Sequence, residues 1–376
     1  MTLLKVEHLV KRYTADVPVV DDVSFEVRPG EVFVLLGESG CGKTTTLRAI
    51  AGFERADAGR IEFDGRLLDG DGRHVRPERR GVGFVFQDYA LFPHLSVLRN
   101  VMYGLRGLGR QARRDRAMQV LKMVGLLHAR DRRPQELSGG QQQRVAVARS
   151  VAPSPKLILL DEPFSNVDAG MRAAMRGDLR QTLEHEGMSA VLVTHDQEEA
   201  LSFADRLAVM HEGRIAQSGR PEDVYRRPAT AFVAQFLGRT NLVRVMGRGE
   251  VADTPLGPVR LSHRTQGEAI VSMRPEHLTL RPPQLGRPRG TVILRTYKGH
   301  DLSFKVRVDK RTYEVHTDFR CPFVPGDTVN VVPRESAVVL RDELHGRAGD
   351  SLPRNQALMA EAQASEAGGG SRGERP

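Results

Sequence analysis

The segment Gly37-Glu-Ser-Gly-Cys-Gly-Lys-Thr44 narrows the possible folds more than any other part of this chain. It fits the pattern G-x-x-x-x-G-K-T and lies between a continuous apolar run, Glu31-Val-Phe-Val-Leu-Leu36, and a helix expected to open near Lys43. Glycines in such a loop let backbone N–H groups turn inward on phosphates, and the helix N-terminus adds its dipole. Lys43 is placed to reach terminal phosphates and the Thr44 hydroxyl to ligate Mg²⁺. Gly37, Glu38, Ser39, Gly40, Cys41, Gly42, Lys43, Thr44 and Thr45 are therefore expected to bind nucleotide. A glycine turn that merely closes a strand onto a helix is the competing reading, and the strand-loop-helix context weighs against it. Cys41 is read as a small filler of the loop, whose thiol, beside bound phosphate, would offer a point for alkylation or oxidation.

Further buried-strand signals follow at Lys156-Leu-Ile-Leu-Leu160, Ala190-Val-Leu-Val193 and Arg206 to Met210, with helical segments between them, the alternation of a parallel sheet. From Leu3 to Val27 short β-branched runs predict a small group of strands. An arginine-rich stretch from about Arg99 to Arg133, with Met118, Leu121, Val124 and Leu127 at helical spacing, reads as helical. The strand Leu157-Ile-Leu-Leu-Asp161 ends in an acid, as needed to set a carboxylate on a Mg²⁺ shell at the sheet's carboxyl edge. Glu162, one step further, is placed to polarise an attacking water. An Asp-Glu pair after a strand can also be a helix cap with a first-turn acid, and it is the phosphate loop upstream that favours the catalytic reading.

With 376 residues the chain has length for about two domains. Apolar residues at 40% and charged ones at 27% argue for a water-soluble globular protein and against a membrane-embedded or wholly disordered one. The formal charge of +9 is compatible with an anionic partner or with arginines scattered over solvated helices. Cys41 and Cys321 are too few for a disulfide framework. No run approaches the roughly 20 apolar residues a spanning helix needs. Near Gly238 the character changes to short alternating segments, Val243 to Met246, Ala269 to Met273, Thr291 to Thr296, Ser303 to Val308, Thr312 to Val315 and Thr328 to Val332, expected to form a barrel-like β domain. Residues 346–376, ending in a Gly-Ser-Arg-Gly run, are expected to be a disordered tail.

Leu137-Ser-Gly-Gly-Gln-Gln-Gln-Arg144 is the most discriminating segment. Ser138 and two glycines opening a helix make a second anion-binding N-terminus. This octapeptide resembles the signature motif of ATP-binding cassette (ABC) ATPases. The resemblance implies an α/β P-loop NTPase cassette over 1–237, with a helical signature subdomain at about 88–155, and then a small all-β domain of the TOBE or OB type over 238–345. It implies that Leu137, Ser138, Gly139, Gly140 and Gln141 contact the γ-phosphate of ATP held by an opposite subunit, so that the cofactors are ATP and Mg²⁺ and the working unit is a homodimer.

Other motifs of the family carry over position by position. Tyr13 resembles the aromatic residue that stacks on adenine. Gln87, after Gly83-Phe-Val-Phe86, resembles the glutamine that contacts Mg²⁺ and water and relays to the membrane part. Asp168 in Ser165-Asn-Val-Asp matches the dimer-contact loop, more often Ser-Ala-Leu-Asp in the family, and His195 matches the histidine that contacts the γ-phosphate. Metal ligation would then fall to Thr44, Gln87 and Asp161, and catalysis to Glu162, His195 and Gln87.

The C-terminal region, through Ser272-Met-Arg-Pro-Glu-His277, resembles the β extension of ATPase subunits from bacterial binding-protein-dependent importers. The implied partners are two membrane permease subunits and, indirectly, an extracytoplasmic solute-binding protein, with the chain peripheral on the cytoplasmic face of the inner membrane and no nucleic acid expected. Residues 75–96, with Asp88 after the glutamine, look most like ferric-iron importer ATPases, while spermidine/putrescine, thiamine, sulfate or molybdate, and sugar importers are the alternatives. A non-transport ABC ATPase acting on nucleic acid would fit the charge, but such chains carry a long coiled coil between phosphate loop and signature, and 93 residues separate Thr44 from Leu137 here.

Overall fold

The computed structural model describes residues 2–14, 17–105, 107–165 and 167–341. The expected tail at 346–376 lies outside the described residues. At the centre is a six-stranded sheet in the spatial order Arg214–Gly219, Arg206–His211, Val32–Gly37, Ser189–Thr194, Leu157–Asp161, Gly83–Val85. Every neighbouring pair is parallel except the outer pair, where Arg214–Gly219 runs antiparallel to Arg206–His211.

The near-continuous apolar runs exist because this sheet is covered on both faces. Val32, Val34, Leu36, Ile158, Leu160, Ala190 and Leu192 enter one core, with helices Val97–Tyr103, Arg110–Met123, Gly139–Val151 and Ala169–His185 supplying the opposing side chains. Phe33, Leu35, Leu157, Leu159, Val191 and Val193 enter a second core. That second core is closed by the helix Lys43–Ala51 and by the antiparallel sheet that begins with Leu4–Arg12 paired to Pro18–Val27 and to Ala58–Phe63. The helical stretch expected from Arg99 to Arg133 is interrupted, since Gly104, Gly107 and Gly109 separate Val97–Tyr103 from Arg110–Met123. Gly107 takes φ 91°, a left-handed conformation that stops a helix at little cost for glycine.

The phosphate-loop helix ends at Gly52 in a left-handed C-cap, and its last carbonyls are met by a buried arginine. Arg80 donates from Nη1 to the carbonyls of Ala49 (2.7 Å) and Ile50 (2.8 Å), from Nε to Val75 (2.7 Å), and from Nη2 to Asp69 (3.1 Å). Its side chain is fully buried, and burial lowers its pKa against the opposing pull of Asp69. A Cβ at Gly52 would come within 2.4 Å of Arg80 Nε, so glycine there both turns the chain and makes room for the guanidinium.

The C-terminal region has its own core, built around Phe304, Tyr313, Val306 and Val271. Its strands form two open sheets instead of one closed barrel. One is a long hairpin, Asn241–Thr254 with Gly257–Met273, joined by Val338–Val339. The other has the order Leu278–Arg281, Thr328–Pro333, Gly290–Tyr297, Asp301–Val308, Arg311–Asp318. Gly247, Gly249 and Gly267 sit inside the hairpin arms, which is why short separate strands were expected where two long ones run. Arg274 fastens this region to the cassette: it is 3% exposed, donates to the carbonyls of Ala234 (2.8 Å), Gly238, Arg239 (both 3.1 Å) and Tyr225 (3.1 Å), and stacks 4.1 Å over the Tyr225 ring. Burial and the neighbouring Glu276 push the Tyr225 hydroxyl up to about 12, and that hydroxyl donates to Glu276 at 2.7 Å.

Replacing Arg80 by alanine leaves two helix-end carbonyls unmet in the interior and removes the guanidinium from buried Asp69, which keeps His74 Nδ1 at 2.6 Å. It is expected to cost about 3–5 kcal/mol, the usual consequence of breaking a buried pair from one side. Urea unfolding followed by circular dichroism checks this, and a native midpoint would show that the guanidinium adds no net stability.

Candidate nucleotide site

Parallel register brings the strand ends to one edge of the sheet. Leu36 pairs with Thr194, Gly37 with Met210, Asp161 with Val193, and Val85 with Leu160. The residues that follow, Glu38 to Gly42, His195, Glu162 and Gln87, therefore emerge at the carboxyl edge, where open α/β sheets bind ligands.

The loop itself is shaped by close approach. Gly42 caps the helix Lys43–Ala51 at φ 101°, and a Cβ on it would lie 2.4 Å from the Val19 carbonyl oxygen. Lys43, 4% exposed, curls back so that Nζ donates to the carbonyls of Gly37 (2.9 Å) and Glu38 (2.8 Å). A terminal phosphate would offer Nζ a charge-assisted partner in place of these neutral ones. Cys41 is buried, and burial raises its thiol pKa against the opposing influence of Lys43, in keeping with a small filler of the loop.

Thr44 Oγ1 donates to Asp161 Oδ1 at 2.9 Å, joining the two oxygen donors expected to share a cation. Asp161 is buried; burial raises its carboxyl pKa, while the Thr44 hydrogen bond and the positive charge of Arg48 pull it down. A hydroxyl and a carboxylate are hard ligands of the kind Mg²⁺ takes alongside phosphate oxygens and water.

Glu162 brings two other expected residues together. Its Oε1 lies 3.2 Å from His195 Nδ1, and its Oε2 accepts from Gln87 Nε2 at 3.4 Å. Glu162 itself holds φ 44°, a left-handed conformation uncommon for a residue with a side chain. Its N–H donates to the Val193 carbonyl (3.0 Å) and its carbonyl accepts from Ser165 Oγ (2.9 Å), which pins the turn.

The remaining expected residues stand apart. Ser138 caps the helix Gly139–Val151 in a reciprocal box with Gln141, through Gln141 N–H to Ser138 Oγ at 3.4 Å and Ser138 N–H to Gln141 Oε1 at 3.1 Å. Gly140 is buried, a Cβ there falling 3.2 Å from Met171 and Met175, and Leu137 is buried while Ser138 and Gly139 are exposed. Among the described residues no hydrogen bond or ion pair joins 137–141 to the phosphate loop. Asp168 is exposed and caps its own helix through Met171 N–H at 3.1 Å. Tyr13 is 56% exposed, with Lys11 Nζ 5.5 Å from its ring centroid.

Sequence reasoning missed the residues that hold His195 in place. Thr194 Oγ1 donates to Glu199 Oε2 (2.7 Å) and accepts from Asp196 N–H (3.0 Å), while Asp196 Oδ1 accepts from Glu199 N–H (3.0 Å). The spacing Asp196-Gln-Glu-Glu199 matches a helix-capping pattern and was a legible signal. Glu199 is 4% exposed, its Oε1 has no hydrogen-bond partner among the described residues, and burial raises its carboxyl to about 7.

A family model described as ABC transporter matches residues 20–165, and one described as TOBE domain matches 271–340. The Fe(3+) ions import ATP-binding protein FbpC of Agrobacterium fabrum is 42% identical over 329 residues, spanning 85% of this chain and 90% of that protein. The spermidine/putrescine import ATP-binding protein PotA of Pseudomonas fluorescens is 42% identical over 321 residues, spanning 81% and 88%. Among solved structures, the ATP-binding cassette MJ0796, a dimer in a post-hydrolysis state bound to ADP and Pi, superposes with a TM-score of 0.52 at 31% identity, covering 58% of this chain and 99% of that one.

The chain belongs to the ABC transporter family, as an ATP-binding subunit. Within that family it is an ATPase of the import type, a cassette followed by a TOBE domain.

Because the folded-state pKa of Glu199 lies above that of an unfolded carboxyl, the native state holds an extra proton between about pH 4.5 and 7, and stability falls as pH rises through that window. Glu199→Gln is expected to flatten this slope and to be more stable than the native chain at pH 8, by up to about 3 kcal/mol. Denaturant unfolding at pH 5 and pH 8 measures both quantities; an unchanged slope would mean that the carboxyl titrates elsewhere.

Proposed function

We propose that this chain hydrolyses ATP to drive uptake of ferric iron, working as a homodimer beneath two membrane permease subunits that receive cargo from an extracytoplasmic binding protein. It would sit peripherally on the cytoplasmic face of the membrane; among the described residues no helix is long and apolar enough to cross it. The observation that carries the reading is the cluster at Glu162, with His195 and Gln87 within 3.2 and 3.4 Å of its carboxylate, beside the Thr44–Asp161 pair.

In this reading the loop 37–45 and Lys43 hold the triphosphate, and Tyr13, which is exposed, stacks on adenine. Thr44, Asp161 and Gln87 would hold Mg²⁺, which when bound would supply positive charge against the phosphates. Glu162 accepts a proton from water as the water oxygen bonds to the γ-phosphorus. The bond from that phosphorus to the β–γ bridging oxygen breaks, releasing ADP and phosphate. His195 is oriented by its contact with Glu162 and donates toward the γ-phosphate oxygens. Leu137 to Gln141 would act on the nucleotide of the opposite subunit, which agrees with their separation from the phosphate loop of their own chain, and Asp168 would meet the partner at the dimer seam. Residues 1–237 would be the motor, with 88–155 its helical signature subdomain, and 238–345 the extension.

Ferric iron is favoured because relatives that span most of the chain at 40% identity or more carry that cargo in their names. The second reading, a polyamine importer, is favoured by the equally identical spermidine/putrescine protein.

Glu162→Gln is expected to lower ATP turnover by about 100-fold or more, the scale of a general base, while ATP binding is retained. Tagged and trapped with ATP in solubilised native membranes, that variant should recover a multi-helix permease, identified by mass spectrometry. Uptake of labelled ferric iron and of labelled spermidine in cells lacking the chain then decides the cargo: loss of spermidine uptake alone would replace iron by polyamine. A variant that turns over at the native rate would remove Glu162 as the base.

A further inference from the structure

The helix Ala169–His185 starts one residue after Asp168 and carries arginines at 172, 176 and 180, a spacing that sets them on one face. Each pairs with a different acid in the segment that follows His195. Arg172 Nη1 lies 3.2 Å from Asp196 Oδ2, Arg176 Nη2 2.7 Å from Glu198 Oε1, and Arg180 Nη2 2.9 Å from Asp205 Oδ1. The helix leaving the dimer-contact loop is thus laced along the segment leaving the histidine.

The three pairs do not lead to the same places. Arg180 ends on Asp205, whose Oδ2 also accepts from the N–H of Val32, so this pair is anchored in the sheet. Arg172 has both ends on the site. Its Nε donates to the carbonyl of Val167 at 2.9 Å, the residue before Asp168, and its Nη1 reaches the residue after His195. Asp196 is committed in turn through its other oxygen to Glu199 N–H and through its own N–H to Thr194 Oγ1, so the residues on either side of His195 move as one turn. Only a planar guanidinium spans a carbonyl and a carboxylate with two fixed donors in this way, and a lysine ammonium does not.

We propose that Arg172 is a positioning residue for hydrolysis, which carries displacement of the Asp168 loop by a second copy of the chain into the placement of His195 against Glu162. Asp168 is exposed while it caps its helix, whereas Val167 beside it is buried and gives its carbonyl to Arg172, so a shift of the loop acts on Arg172. The proposal rests on the roles given above to Asp168, Glu162 and His195. A displacement near 1 Å at reacting groups is enough to change rates by about 100-fold, so a strap of this length suffices.

The test compares Arg172→Ala, Arg172→Lys and Arg180→Ala in the full-length chain, with Glu162→Gln alongside. Arg172→Ala is expected to lower kcat roughly 10- to 100-fold while KM and binding of a fluorescent ATP analogue change by less than about twofold. Arg172→Lys should recover little of the loss, and Arg172→Ala with Asp196→Asn should be no slower than Arg172→Ala, since both break one strap. Arg180→Ala should lower the melting temperature and leave kcat unchanged. Native kcat in Arg172→Ala, or losses in the arginine variants that merely follow their melting temperatures, would overturn the proposal. If Arg172→Ala does not fold, Arg172→Lys against Arg180→Lys decides on the same readouts. Turnover by Glu162→Gln at the native rate would fault the site itself, whereas an inactive Glu162→Gln beside a fully active Arg172→Ala would fault the strap alone.

Discussion

Everything at the site depends on the parallel register of the strands ending at Gly37, Asp161 and Thr194. The Thr44–Asp161 hydrogen bond crosses the strand Ser189–Thr194, which lies between their two strands, and Glu162 meets His195 only because Asp161 is paired with Val193. A slip of one residue would move Asp161 by about 3.3 Å along the sheet. It would also exchange Ile158 and Leu160 with Leu157 and Leu159 between two closed cores. The packing of each face therefore enforces the alignment of the chemistry: the cores penalise every register but the one that assembles the nucleotide site.

Ten non-glycine residues among the described residues are left-handed, and three of them fall where that alignment is used. Glu162 at φ 44°, Tyr89 at φ 63° and Ala90 at φ 43° are all left-handed without being glycine, each a cost of about 1–3 kcal/mol that the surroundings must offset. At Glu162 the offset comes from Val193 and Ser165. At the other turn it comes from Arg149, which donates to the carbonyls of Ala90 at 2.6 Å and Tyr89 at 2.9 Å. Both strained turns lie on segments joined by the Gln87–Glu162 hydrogen bond, so a shift in one is felt by the other.

Legibility followed the physics of each feature. Strands such as Val32–Gly37 and Leu157–Asp161 were readable because burial on both faces demands an unbroken apolar run, and the phosphate loop because glycine and lysine at fixed spacing have few other uses. The stretch from about Arg99 to Arg133 reads as helical without a marked break because the glycines between Val97–Tyr103 and Arg110–Met123 cost a helix only about 1 kcal/mol each, too weak a signal to mark a break unaided. The long hairpin Asn241–Thr254 with Gly257–Met273 reads as fragments because its ends are buried in alternation while its middle, around Gly247, Gly249 and Gly267, is largely exposed and breaks the pattern. Ser138 and Asp168 were legible as helix caps, yet their separation from the phosphate loop of the same chain is a three-dimensional fact that spacing does not encode.

What escaped the sequence reading entirely was the use of arginine. A guanidinium that caps carbonyls remote in sequence leaves no periodic trace, so Arg80 closing the phosphate-loop helix, Arg274 joining the β extension to the last cassette helix, and Arg172 bridging Val167 to Asp196 look identical to solvated arginines until the fold is known. The rigid fork, with five donors and weaker hydration than an ammonium, is the side chain best suited to satisfy several backbone oxygens at a buried junction. The three junctions differ in how the charge is met: Arg80 and Arg172 also pair with Asp69 and Asp196 and so add nothing to the net +9, whereas the Arg274 charge is met by backbone carbonyls and the Tyr225 ring, the kind of neutralisation that a count of acids and bases leaves out.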